Sequence, residues 1–93
     1  MDYMEFKNQM LAEIEERLTE KEYACYEPAD GNMLEESLVI QEGNEPIRFG
    51  ATTTSMYRAY KSCYSIKHIA EEIIREKEAY SFSVRRSSIS ANI

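Results

Sequence analysis

Side chains suited to metal or nucleophilic chemistry are scarce in this 93-residue chain. There is one histidine, His68, and two cysteines, Cys25 and Cys63, far apart and without a CxxC spacing. Three such side chains cannot close a four-ligand zinc site, so neither a metal nor a cofactor is expected. No run of about 18 apolar residues exists, which excludes a membrane-spanning helix. The first ten residues, MDYMEFKNQM, have neither the basic start nor the apolar centre of a signal peptide. A cytoplasmic location is the expectation, and there the two thiols stay reduced. No residues read as a nucleophile, a base and an orienting group, so an enzyme is not expected. Internal repeats and interdomain linkers are also missing.

What is present describes one small globular domain. Hydrophobic residues make up 43% and charged residues 30%, which fits an ordered protein rather than a disordered one. The net charge is −6, and it is unevenly spread. Residues 1–45 carry 13 acids against 3 bases, whereas 46–70 carry Arg48, Arg58, Lys61 and Lys67 and no acid. Residues 71–93 balance. A protein with this charge repels nucleic acid at long range, because phosphate binding needs clustered cations.

In chain order, Asp2 and Glu5 form a variant capping box, with both carboxylates near the positive end of a helix. Tyr3, Phe6, Met10, Leu11, Ile14 and Leu18 then fall on one stripe of a helix of about 17 residues. Alternation over 22–27 reads as a strand, followed by turn chemistry at Pro28-Ala29-Asp30-Gly31-Asn32. A second strand is expected at 34–42, a turn at Gly43 to Pro46, and a third strand from Ile47 to Phe49. Thr54 or Ser55 can cap a short helix carrying Met56, Tyr57, Tyr60 and Tyr64. Ser65 caps the last helix, whose apolar face holds Ile66, Ile69, Ala70, Ile73, Ile74 and Tyr80 and which ends near Tyr80. The expected fold is α+β: a two-layer sandwich running helix, three-stranded antiparallel meander, short helix, long helix. Residues 1–80 are read as the single α+β domain and 81–93 as a flexible C-terminal tail.

Several of these segments are similar to the opening module of a bacterial family of unknown function from anaerobic Gram-positive bacteria. The likeness rests on Tyr3-x-Glu5-Phe6-Lys7, on Asn32 ahead of Leu38-Val39-Ile40, and on Pro46-Ile47-x-Phe49. It continues through Met56-Tyr57-x-x-Tyr60 and Ile69-Ala70-x-x-Ile73, so it covers about residues 1–75. The chain looks like a stand-alone version of that module and departs from it in Arg58 and Lys61 beside the tyrosines. This resemblance implies no activity and transfers no catalytic residue. The element order also resembles that of double-stranded-RNA-binding domains, but here the last helix opens Ser65-Ile66-Lys67-His68 and turns acidic at Glu71-Glu72.

Candidate sites follow from charge and aromatics. Tyr57, Tyr60 and Tyr64, interleaved with Arg48, Arg58, Lys61 and Lys67, can fill the small core, anchor a protein interface, or stack bases and bind phosphate. Glu13 and Glu16 share the solvated face of the first helix. Cys63 is read as a buried, inert thiol and His68 as a half-exposed surface residue. The expected function is that of a small acidic, non-enzymatic protein-interaction module, of the kind a phage uses to inhibit a nucleic-acid-binding defence protein (an anti-CRISPR-like role). Its expected partner is a macromolecule, a protein before a nucleic acid, with no membrane involved. The alternative is nucleic-acid or anion binding through the basic aromatic segment 48–67.

Overall fold

The structure is a computed structural model and describes residues 2–29, 32–43 and 48–91. Its elements are α1 (Tyr3–Glu15), β1 (Glu22–Ala29), β2 (Asn32–Glu42), β3 (Arg48–Thr52), α2 (Thr53–Lys61) and α3 (Ile66–Ala91). The strands form one antiparallel sheet in the order β1-β2-β3, so the α+β order anticipated from the pattern is the observed one.

The Asp2 cap is present: the Glu5 backbone N–H donates to Asp2 Oδ1 at 2.8 Å. α1 stops at Glu15, earlier than the apolar stripe suggested. Arg17 and Leu18 continue with i→i+3 bonds to Ile14 and Glu15, a tightened last turn that keeps Leu18 packed on the core. Phe6, Met10 and Ile14 are fully buried, as their spacing requires.

The strands are longer than expected. β1 includes Pro28, β2 begins at Asn32, and β3 runs on through Gly50 into the threonine cluster. Asp30, Gly31, Ile47 and the expected turn residues Asn44, Glu45 and Pro46 lie outside the described residues. Register places Tyr26, Leu38 and Ala51 in one row and Ala24, Ile40 and Phe49 in the next. These side chains face the helices, and with Met56, Ile69, Ala70 and Ile73 they make the core between the two layers. Period-two alternation puts Glu22, Glu36 and Glu42 on that same covered face, near the ends of the strands. Each meets a cation from a helix. Lys7 pairs with Glu36, Lys77 with Glu22 at 2.6 Å, and Arg85 with Glu42 at 2.7 Å.

α2 begins at Thr53, one position before the expected caps, with Thr52 at the N-cap position. Thr52 does not bond a backbone amide; its hydroxyl donates to Ser55 Oγ at 2.7 Å. The helix ends in a Schellman turn: Tyr64 N–H donates to the Ala59 carbonyl at 3.2 Å and Cys63 N–H to that of Tyr60 at 3.1 Å. Cys63 takes the left-handed position at φ 75°, where glycine is the usual occupant. Ser65 caps α3 as expected, its Oγ accepting from the His68 N–H at 3.1 Å.

The largest departure is at the far end of α3, which does not stop near Tyr80 but continues to Ala91. The stripe Ala70, Ile73, Lys77, Ser81 stays at helical spacing and stays buried, though its last two members are polar. Lys77 is tolerated there by its pair with Glu22, and Arg85 ties the next turn to β2. Segment 81–91, expected as a flexible tail, is therefore helical; residues 92 and 93 lie outside the described residues. Tyr80, placed on the apolar face by its spacing, is 44% exposed and only leans on Phe49, with ring centroids 5.9 Å apart. A helix of 26 residues is about 39 Å long, and the molecule extends 50 Å along its longest axis.

Candidate functional site

Folding divides the basic aromatic segment into three parts. Tyr57 and Tyr60 turn toward α1. Tyr57 meets the Tyr3 ring edge-on at 5.1 Å, and Phe6 lies 5.1 Å from Tyr57 and 5.3 Å from Tyr60. Both tyrosines are half-buried and pack on the core. Lys61 sits over the outer face of Tyr57, 4.9 Å from its centroid, and Arg58 is exposed beside it. Arg48 opens β3, four residues before Thr52, which puts it about 13 Å along the strand from the start of α2. Its side chain lies outside the described residues.

Tyr64 forms the third part. The Schellman turn reverses the chain at Cys63, so Tyr64 leaves the α2 row altogether and stacks on His68 of α3, with centroids 5.2 Å apart and planes 14° apart. Tyr64 is 52% exposed, and Lys67 and His68 are exposed as well. Cys63, expected as a buried thiol, is exposed. Its side chain is pushed outward because the residue occupies the turn rather than a helix face.

The aromatic cluster continues past Tyr57 to Lys7, whose Nζ lies 5.8 Å from the Tyr3 centroid and 4.7 Å from that of Tyr26. Tyr26 donates its hydroxyl to the Lys7 carbonyl at 2.7 Å. Burial pushes that hydroxyl far above its ordinary pKa, with neighbouring Tyr3 and Glu36 adding to the effect, so it remains protonated at physiological pH. Tyr3 donates to Thr53 Oγ1 at 2.7 Å, and Thr53 to the Glu36 carbonyl at 3.1 Å. This chain of bonds fastens α1 and the start of α2 to the sheet. Tyr57 and Tyr60, by contrast, are held by ring contacts with Tyr3 and Phe6.

The two glutamates picked out on α1 also part company. Glu13 is drawn against Arg17 at 2.8 Å, and Arg17 reaches Glu71 of α3 at 3.6 Å. Glu16 is exposed at the helix C-cap. Beyond it, Glu15, Glu20, Glu71, Glu76 and Glu78 are exposed.

Between α2, α3 and the end of β3 lies an open cleft of about 360 Å³. Met56, Ile69 and Ile73 form its floor, each less than a tenth exposed, and Ala51 and Ala59 line its sides. Thr52 and Ser55 stand on the α2 rim, His68, Glu72 and Glu76 on the α3 rim, and Tyr64 lies toward the α2–α3 connection. The concavity exists because Ala51 and Ala59 are small where larger side chains would fill it. Of the partner-binding candidates read from sequence, Tyr64 is the one among the described residues that lines this cleft, and His68, read as a surface residue, lines it too. A sequence signal did exist in the i, i+4, i+8 spacing of His68, Glu72 and Glu76, which puts the three on one face of α3.

Ser55, His68 and Glu72 share the cleft, but among the described residues no hydrogen bond joins them; Glu72 instead accepts from Arg75 at 2.9 Å. Among the described residues no three His, Cys, Asp or Glu side chains gather where a metal ion could sit. No helix there is long and apolar enough to cross a membrane. Comparison with protein-family models, with curated proteins and with solved structures finds no match to this chain.

Proposed function

We propose that this chain is a non-enzymatic protein-interaction module that presents an acidic surface to a basic partner. One observation carries the reading. Lys7, Arg17, Lys77 and Arg85 are drawn into pairs with glutamates, while acids on α1 and α3 remain exposed. Exposed Glu15, Glu16, Glu71, Glu76 and Glu78 outnumber the exposed Lys67, Arg75 and Arg85 of the same two helices, and such an excess of one sign favours encounter with a surface of the opposite sign and sets specificity and association rate. A protein that binds nucleic acid offers such a surface in its basic channel. The finer form of the proposal is therefore an inhibitor that occupies the channel of a nucleic-acid-binding defence protein, in the manner of phage-encoded inhibitors.

The second reading, nucleic-acid or anion binding through 48–67, draws on Arg58, Lys61 and Lys67, which are exposed near the α2–α3 turn. Few rings are open to bases, because Tyr57 and Tyr60 pack on the core and one face of the half-exposed Tyr64 is taken by His68.

The test is retention of a partner from extract on the immobilised chain, with and without nuclease treatment. The proposal expects a protein that survives nuclease and elutes with salt. It expects loss of that protein with Glu15→Lys/Glu16→Lys and no effect of Arg58→Glu. Retention that nuclease or Arg58→Glu abolishes would overturn it in favour of the second reading.

A further inference from the structure

We infer that the α2–α3 cleft is the docking groove for a basic amphipathic segment of the partner, one that lays apolar side chains on its floor and sets lysines or arginines against its α3 rim. This inference rests on the interaction-module reading above and adds to it a place and an occupant.

The dimensions suit a short helix. His68 to Glu76 is eight steps along α3, about 12 Å, or roughly two helical turns. A partner helix of that length places two or three side chains, at i, i+3 or i+4, and i+7, into a groove. A volume of about 360 Å³ lies at the low end for binding cavities, enough for a few side chains and too little for a folded surface loop.

Charge complementarity selects the sign of the occupant. Glu72 and Glu76 stand one turn apart on the rim, and among the described residues no lysine or arginine lines the cleft. Arg75, on the same helix, pairs with Glu72 at the surface with 74% of its side chain exposed. Such exposed i, i+3 pairs are weak, so an incoming cation can displace it at little cost. Tyr64 adds a half-exposed ring at the connection end, and tyrosine is among the residues most often found as an interface anchor. An acidic or uncharged segment would meet the same floor but oppose or ignore both carboxylates.

The groove differs from the acidic outer face of α1 in being apolar at its base, and the experiment separates the two. The isotope-labelled full chain is titrated, at about 50 mM salt, with a 14-residue amphipathic helical peptide of leucine and lysine, and NMR shifts are mapped. Matched peptides carrying glutamate or glutamine in place of lysine serve as controls. The expected result is that only the lysine peptide binds tightly, with shifts centred on Ala51, Ala59, Ile69 and Ile73. Ala59→Leu, which fills the groove, and Glu72→Gln/Glu76→Gln should each weaken binding at least tenfold, and thermal unfolding checks that both variants fold. Shifts confined to the α1 face around Glu15 and Glu16 would overturn the groove while leaving the interaction module standing. Equal binding of the glutamine peptide, or full-strength binding by Ala59→Leu, would overturn it as well. Failure of partner retention in the extract experiment instead strikes the underlying reading.

Discussion

Removing Lys77 while keeping its bulk, as in Lys77→Met, should be among the most damaging single changes this fold can suffer. Lys77 Nζ donates to Glu22 Oε2 at 2.6 Å, and Glu22 Oε1 accepts from the Thr19 N–H at 2.9 Å. The two side chains are only 10% and 2% exposed. Breaking one partner of such a pair leaves a buried charge with a single amide for company, a loss of about 3–5 kcal/mol. A small domain has about 5–15 kcal/mol in all, so the variant should sit near the edge of folding.

The pH dependence gives the sharper test. Burial by itself would raise the Glu22 pKa, but the Lys77 ammonium and the Thr19 amide outweigh it and hold the carboxyl below its ordinary value. The pair's contribution is thus present above the unfolded carboxyl pKa of about 4.3 and is lost as pH falls through the lower folded value. In Lys77→Met the sign reverses, because burial without the cation raises the pKa. That variant should lose stability as pH rises through the carboxylate range. Urea unfolding at pH 7 and at pH 4 should therefore show the gap to wild type shrinking at the lower pH. The double change Glu22→Leu/Lys77→Met should recover most of the loss, since apolar replacement of a buried pair is often neutral. A deficit under about 1 kcal/mol, or one that does not change with pH, would refute the reasoning.

Two further outcomes follow from local geometry. Cys63→Gly should raise stability by about 0.5–1 kcal/mol, measured by urea unfolding, because glycine takes the left-handed position at φ 75° without strain. Deleting 81–93 should lower the melting temperature by more than about 5 °C, equivalent to roughly 1 kcal/mol, since it uncovers the Glu22–Lys77 pair and removes the Arg85–Glu42 contact. An unchanged melting temperature would return that segment to the status of a dispensable tail.

The element order was legible because its signals are local. Asp2 with the Phe6, Met10, Ile14 stripe announces α1, and Ser65 announces α3. The end of α3 was illegible for the converse reason. Lys77 and Ser81 occupy buried stripe positions, and a hydrophobic pattern registers polar residues there as a break. Only Glu22, 55 positions away in sequence, makes a buried lysine tolerable. The basic aromatic segment misled in a different way. Its residues are neighbours along the chain, but a strand carries Arg48 away from α2 and a left-handed Cys63 takes Tyr64 out of the α2 row and onto His68. The cleft had the faintest signal of all. It is made by what Ala51 and Ala59 do not fill, and smallness in one element means nothing until the facing element is known.

The central claim, that the acidic outer surface and not the basic aromatic segment engages a partner, is tested most directly by fluorescence anisotropy. The same protein is titrated, at about 50 mM salt, against a labelled single-stranded RNA and a labelled lysine-rich polypeptide. The account predicts no change with the RNA up to about 10 µM protein, because a net charge of −6 opposes the few exposed cations. It predicts saturable binding of the polypeptide that weakens with added salt and with Glu15→Lys/Glu16→Lys. Salt-sensitive binding of the RNA that disappears in Arg58→Glu, with the polypeptide left unbound, would contradict it.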